Sequence, residues 1–512
     1  MKRSVFLFLL LLPMCPAVAS AQSADSLSVE QRRLLTHPPV ATFGEIATHN
    51  AAMRYRQYPF SLTTTSLNHY YDQRGDATLV QEGTASRNTS LEVESFVQLS
   101  NKSRAFGQAS YRNGRREHVR WNENSDFSLI YPYVTGDSIG GFMKEEEYRF
   151  MGGYAHRLGA WTLGGQLAYR ASIAYRDKDP RPRNVVSDLE ASMALARLLN
   201  RSYTIGTSVH ARKYTQDSSI SFLADKGATS VSQMLGMGVE YIRFAGTQTS
   251  TRHAGTGMGG SVDLSPTQGN GFSASLRGDY FHFVKELNSL NYAPMVEATE
   301  TTMAVDLAWT KQTRAWYRGL KIQGVKKTRN GTENIFGDAS GNVYPQISSV
   351  QQYRSTAAQL TLSGMVGQPI GLSQRTHGWV LLPQVGYESI SSEHKEAARR
   401  FEASHLRATI ELQWHWQLSK LLFTTGGGTE YLKKLRTDGL LPGISSNSSS
   451  GKALLSNIQY LSDSHVTARL FVRADYELTR RYALFLSAAY RYQHYQRSGE
   501  THAGTASLGF LF

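Results

Sequence analysis

The chain is poor in the things that would make most folds. It has one cysteine in 512 residues, Cys15, which sits in the N-terminal apolar stretch, so a disulfide scaffold is excluded. Proline is scarce at 14 residues, mean hydropathy is −0.37, and beyond the N-terminus no apolar run approaches the roughly 18 residues that a membrane helix requires. A helical membrane protein is excluded with it. No HExxH and no Cys/His cluster is present, so neither a metal nor another cofactor is expected.

What is abundant is aromatic and glycine, with 27 Tyr, 21 Phe, 7 Trp and 44 Gly, a bias that favours strands. Lys2 and Arg3, the apolar run Val5 to Leu12 and the small residues Ala17, Ala19, Ser20 and Ala21 have the order of a secretory signal peptide over residues 1–21. Setting Lys2 and Arg3 aside lowers the formal charge from +14 to +12. On an exported chain that excess points to anionic lipid headgroups or solutes rather than to nucleic acid.

From about residue 58 the sequence alternates. Leu406, Ala408, Ile410, Leu412, Trp414 and Trp416 share one face, and His405, Arg407, Thr409, Glu411, Gln413, His415 and Gln417 the other. Val466, Ala468, Leu470, Val472, Ala474 and Tyr476 repeat the rhythm, as do Leu484 to Tyr492 and Trp161 to Tyr175. Period two means strand, and strands this long fit tilted crossings of a bilayer. Short connections fall near Asn101-Lys102, Leu158-Gly159, Asn200-Arg201, Leu418-Ser419 and Thr479-Arg480, while long polar ones occupy roughly 113–144, 216–251, 330–353 and 437–463. This asymmetry predicts an all-β, transmembrane antiparallel β-barrel of about 18 strands, with 16 as the rival count, short periplasmic turns and long extracellular loops. The expected layout is a leader over 1–21, a periplasmic N-terminal segment over 22–57 and the barrel over 58–512. A segment of that length is too short for the globular plug of an energised transporter.

The end of the chain, "GTASLGFLF", keeps the rhythm to Phe512. His502, Gly504, Ala506, Leu508, Phe510 and Phe512 are predicted to make the lipid face of a closing strand. The stretch resembles the C-terminal assembly signal of bacterial outer-membrane proteins: Thr505, Phe510 and Phe512 match, and Ser507 replaces the usual glycine. That resemblance implies the outer-membrane assembly machinery as a partner.

Four further stretches, "WNENSDFSLIYPYVTGD" (Trp121 to Asp137), "YRDKDPRPRN" (Tyr175 to Asn184), "YIRFAG" (Tyr241 to Gly246) and "NGTENIFGD" (Asn330 to Asp338), resemble an uncharacterised family of outer-membrane β-barrels from Bacteroides-type bacteria, a domain of unknown function. The resemblance implies the fold, the outer membrane of a Gram-negative bacterium, and the company of surface lipoproteins or TonB-dependent receptors. It implies no activity. Asp179-Pro180-Arg181-Pro182-Arg183 should hold Arg181 and Arg183 at the rim, and the turn pairs Asn330-Gly331 and Gly337-Asp338 bracket either a loop folded toward the lumen or an ordinary surface hairpin.

Two basic sets carry the functional expectations. Arg170, Arg277, Arg407, Arg469, Arg473 and Arg491 alternate with the apolar face and so line the lumen. They form either an anion-preferring path or, paired with Asp279, Glu411, Asp475 and Glu477, an internal brace. Arg112, Arg115, Arg116, Arg120, Lys433, Lys434 and Arg436 are expected on outer segments, within reach of lipopolysaccharide phosphates. Gly255 to Gly260 spells GxGxxG, but no helix follows, and small residues on a barrel strand explain it better than a dinucleotide site. Glu411 and His415 share a face yet lie about 13 Å apart along a strand, too far for a dyad. No enzyme is expected; the chain reads as a porin-like passive conduit for small polar or anionic solutes, or as a non-conducting barrel subunit of a nutrient-uptake complex, with a barrel-mouth hydrolase behind both.

Overall fold

The computed structural model describes residues 28–29, 32–33, 43–44, 46–223, 231–244, 249–341, 343–370 and 376–512. The expected leader, residues 1–21 with Cys15, lies outside the described residues.

The strands in chain order are β1 (Leu62–Gln73), β2 (Ala85–Gln98), β3 (Ser103–Val119), β4 (Thr135–Gly136), β5 (Gly141–Leu158), β6 (Trp161–Tyr175), β7 (Arg181–Leu199), β8 (Tyr203–Ser221), β9 (Ser232–Gly236), β10 (Val239–Glu240), β11 (Ser250–Pro266), β12 (Gly271–Leu287), β13 (Ala293–Gln312), β14 (Tyr317–Phe336), β15 (Gln346–Gln368), β16 (His377–His394), β17 (Arg399–Leu418), β18 (Leu421–Leu440), β19 (His465–Thr479), β20 (Tyr482–Tyr495) and β21 (Gly499–Leu511). Eighteen of them form one antiparallel sheet in which each strand pairs with its neighbour in sequence and β21 returns to β1. Thr63 and Phe512 exchange both backbone hydrogen bonds, at 2.7 and 3.0 Å, so the last residue is stitched to the first strand. Closing the sheet leaves no unpaired edge in a layer that has no water to satisfy one.

The period-two reading is realised all round the wall. Leu91, Tyr148, Leu167, Met193, Met258, Leu276, Leu360, Leu470, Leu486 and Leu508 are exposed on the outer wall, while the alternate residues face inward. Phe512 is exposed there, and Phe510 stacks on Tyr482. The crossing is made by strands: no helix among the described residues is long and apolar enough to span a membrane.

The five predicted short turns are short connections in the structure and all fall at one end of the barrel. The outer loops are shorter than expected because the strands continue beyond the apolar band in polar sequence. β14 and β15 run on through Phe336 and from Gln346, so Asn330-Gly331 is strand rather than turn. The loop that turns inward is instead residues 120–140, which contributes β4 to a small second sheet with β9 and β10 and has a helix, Ser449–Leu461, beside it.

A second correction concerns the N-terminal segment, which, short as it is, reaches into the barrel. Phe43 packs on Tyr317, Met365 and Val380; Ala51, Ala52 and Tyr55 pack on Phe96, Phe106, Ala155, Ala194 and Ala196; Val29 joins Phe60, Ala483, Phe485 and Leu511.

Candidate functional site: a loop locked into the lumen

Residues 120–140 leave β3 and return to β5 through a pinched stem. The Trp121 and Glu123 amides donate to the Asp137 and Thr135 carbonyls at 2.8 and 2.7 Å, and the Thr135 amide donates to Asn124 Oδ1 at 2.7 Å. Gly136 has no room for a side chain, since a Cβ there would fall 2.6 Å from the Trp121 carbonyl carbon.

Beyond the stem the loop spans the lumen. Asp126 receives two hydrogen bonds from Arg170 on β6, at 3.0 and 2.6 Å, and one from the Tyr214 hydroxyl on β8 at 3.0 Å. Arg329 on β14 donates to the carbonyls of Ser128 and Tyr131 and is itself held by Glu300. His253 on β11 meets the Tyr133 carbonyl at 2.9 Å, and the Tyr131 ring stands edge-on to Tyr353 on β15. Phe127, Ile130, Tyr133 and Val134 fill the space between with Tyr214, Phe281, Phe283, Met295 and Phe336. Between Asp126 and Val134 the loop thus meets residues of seven strands, β6, β8 and β11 to β15, within an arc of eight of the eighteen.

The base of the loop is fastened by charge. Arg176, just past β6, lies 3.0 Å from Glu123 and 3.6 Å from Asp137, and all three side chains are at most 2% exposed. Asp137 also accepts the amides of Ile139 and Gly140 at 2.7 and 3.0 Å. Burial pushes the Glu123 carboxyl well above the usual carboxylate range, and the hydrogen bond it shares with Asp137 pushes it further, against the pull of Arg176. A carboxyl shifted in this direction takes up a proton more readily, which moves the buried set of two acids and one guanidinium toward neutrality.

The four stretches that carry the family resemblance meet here, the third through Tyr241 to Phe244, since its last two residues lie outside the described residues. Asn184 of the second donates to the Glu123 carbonyl of the first at 2.9 Å. Gly331 of the fourth has no side chain because the Tyr133 hydroxyl lies where a Cβ would be, 2.2 Å away. Tyr241 and Arg243 of the third donate to the carbonyls of Asn334 and Phe336 in the fourth, at 2.9 and 2.7 Å, and Phe244 meets Phe336 edge-on. The sequence offered them as separate pieces, and the fold makes them one socket.

The other end of the lumen is occupied by the N-terminal segment. Asn50 donates to Asp263 on β11 at 2.9 Å, and Tyr55 donates to the Asn101 carbonyl at 2.6 Å. Arg54 lies 4.0 Å over the Phe106 ring. Three inward-facing glycines make room: a Cβ at Gly164 would fall 2.3 Å from the Ala52 nitrogen, at Gly206 2.9 Å from Met53 Sδ, and at Gly319 2.9 Å from the Phe43 ring.

All six arginines expected in the lumen point inward, and each has a carboxylate partner. Arg170 reaches Asp126 and, at 3.2 Å, Asp188; Arg277 reaches Asp279 at 3.4 Å; Arg407 reaches Glu388 at 2.7 Å. Arg469 pairs with Glu430 at 3.4 Å, Arg473 with Asp475 at 2.7 Å and Arg491 with Asp72 at 3.8 Å. Of the partners expected from sequence, Asp279 and Asp475 serve, whereas Glu411 accepts from Gln413. Asp126 could not be foreseen, since it arrives on the inserted loop.

The outer basic set divides. Arg112 and Arg116 face inward from β3, toward Glu147 and Glu145, and Arg116 also donates to the Ser125 carbonyl of the loop. Arg115 faces outward beside Glu117. Arg120 is exposed at the loop's start; Lys433 and Arg436 are exposed and Lys434 half-buried on β18. The GxGxxG stretch is part of β11, where Gly255 and Gly257 accommodate the Phe281 ring and Gly259 the His210 and Asp279 side chains. His415 meets Thr424 at 3.1 Å, away from Glu411.

Fold and site together define a membrane-spanning β-barrel filled from within by its own chain. It belongs to the family of unknown function DUF6850, which it matches over residues 51–512. Curated protein sequences give no match. Solved structures with similar shape include the outer-membrane transporter YddB from Escherichia coli, at 8% identity over 89% of this chain and 81% of that chain with a TM-score of 0.40, and BauA, the ferric preacinetobactin receptor from Acinetobacter baumannii, at 10% over 89% and 80% with a TM-score of 0.39. The siderophore receptor PiuA from the same organism aligns at 9% over 88% and 82%, TM-score 0.37. At these values nothing about ligand or partner passes from those proteins to this one.

Proposed function

We propose that this protein is an outer-membrane barrel of a Gram-negative nutrient-uptake assembly whose own lumen is shut at rest, acting with a surface lipoprotein or TonB-dependent receptor rather than as a standing conduit for small polar or anionic solutes. One observation carries the reading: the 120–140 loop reaches across the lumen from Arg170 to Tyr353 while residues 43–44 and 46–56 occupy the opposite half. The carboxylate partners of the six inward arginines support it, because cations paired in this way add little net positive charge to an anion track.

The test is reconstitution in a planar bilayer. The intact barrel should be silent, and it should give steady steps once residues 124–134 are replaced by a glycine linker and the segment before Phe60 is removed. Large steady steps from the intact chain would defeat the proposal in favour of the passive conduit. Purification in mild detergent should retain the partner protein.

A further inference from the structure

Much of the barrel's charge is paired on the enclosed face, and one row on the lipid-facing wall carries more cations than acids to pair them. Arg87 on β2 stands directly opposite Arg115 on β3, Arg115 opposite Lys144 on β5, Lys144 opposite Tyr175 on β6, and Tyr175 opposite Arg183 on β7. Tyr71 on β1, opposite Arg87, closes the other end. Arg87, Arg115 and Lys144 are each 49% exposed, and Arg183 is exposed. They share the parity of Leu91, Phe142, Tyr148 and Val185 on the outer wall.

Like charges directly across a ladder oppose each other and cost stability, so three consecutive cations need a reason. Two carboxylates touch the row. Glu117 lies 2.9 Å from Arg115 and 3.8 Å from Arg87, and Asp177 pairs with Lys144. Arg183 has no carboxylate partner among the described residues, and the other outward acids near the row, Glu146 on β5 and Asp217 on β8, each stand one outward position lower, Asp217 beside Arg252. Four cations therefore face two paired anions. Aromatic faces steady the heads: Arg87 lies 5.0 Å over Tyr71, Arg115 5.7 Å over Phe142 and Lys144 5.6 Å over Tyr175.

Height decides what this row meets. Two outward positions lower, the same strands present Leu67, Leu91, Tyr111 and Tyr148 in direct register. Four residues of strand are about 13 Å, or roughly 10 Å of depth at the usual barrel tilt. That distance puts the cations above the hydrocarbon, in the headgroup layer. We propose that Arg87, Arg115, Lys144 and Arg183 form a binding row for the phosphate groups of an outer-leaflet lipid headgroup, the arginines gripping phosphate oxygens in their planar forks. Arg112 and Arg116, neighbours in sequence, are excluded because they face the lumen.

The test uses the full barrel, stripped of lipid and offered bisphosphorylated lipid A, its dephosphorylated form, or inorganic phosphate, with retained lipid counted by native mass spectrometry. R87Q/R115Q/K144Q/R183Q should retain at least tenfold less lipid A than the wild type, K326Q/R354Q, exposed cations on the outer wall of β14 and β15, should retain it undiminished, and the wild type should hold the dephosphorylated lipid no better than the quadruple variant does. Should the quadruple variant lose the heat-modifiable gel shift of a folded barrel, R87Q/R183Q gives the same comparison with an intact centre. Equal retention by the variants, equal binding of the dephosphorylated lipid, or inorganic phosphate binding as tightly as lipid A would each overturn the assignment.

Discussion

Replacing Arg176 by Ala tests whether the loop is held by its buried charges. The substitution leaves Asp137 and Glu123 with no cation, in a site where the three side chains are at most 2% exposed. Removing one partner of a buried pair costs about 3–5 kcal/mol. At 1.4 kcal/mol per decade, the ratio of docked to undocked loop should fall by roughly a hundredfold or more. Because Cys15 is the chain's single cysteine and lies in the expected leader, Ile130→Cys introduces a clean probe on a residue that is fully buried when the loop is docked. Its labelling by a charged maleimide should speed up by that factor in the Arg176→Ala background. Arg176→Lys, which keeps the charge without the fork, should fall between. A second probe, Ala194→Cys under the N-terminal segment, separates loop release from general loosening and should not change. Labelling of Ile130→Cys that stays within about threefold of its rate with Arg176 present, or that rises together with the Ala194→Cys probe, would refute the idea that this ion set is the fastening.

The same probe reads pH. Glu123 has a raised pKa, so the stability it contributes is complete below its unfolded value and disappears as pH rises through the folded one. Ile130→Cys labelling, normalised to a cysteine on an outer strand, should therefore increase on the alkaline side, and Glu123→Gln, which keeps the hydrogen bond without the proton, should flatten the profile. At the opposite end, Gly164→Leu drives a side chain into the Ala51-Ala52 backbone and should loosen the N-terminal segment by about 1–3 kcal/mol. Faster tryptic cleavage after Arg54 or Arg56 would report it, whereas Gly152→Leu, where an added Cβ meets nothing within 4 Å, should leave the cleavage rate alone.

The wall was legible because a strand between lipid and an enclosed polar space writes its environment into every second residue. Leu470 and Arg469 could be sorted onto their faces without coordinates, and so could Phe510 and Thr505. What fills the wall was not legible, because residues 43–56 and 120–140 carry no period: they follow the interior surface instead of making a ladder. Their imprint was present on the strands themselves. Phe281 and Phe283 share the polar parity of Arg277 and Asp279; Phe106 shares that of Arg104 and Arg112; Phe471 and Phe485 also lie on inward positions. An aromatic on the polar face of a barrel strand marks a place where something apolar arrives from inside, and an inward glycine such as Gly164, Gly319 or Gly331 marks where it comes closest. Read that way, the exceptions to the alternation outline both inserted segments.

Residues 43–60 precede every strand of the wall, yet they end up surrounded by it, touching β2 and β3 on one side and β14 to β16 on the other. A cylinder cannot be wound around an object that has not yet taken its place unless the object is threaded in afterwards through the narrow mouth. Either the first residues to emerge wait at the centre while the staves assemble around them, or the seam between Thr63 and Phe512 must be the final joint to form and the last chance for them to enter. The order of construction is thus written into the topology.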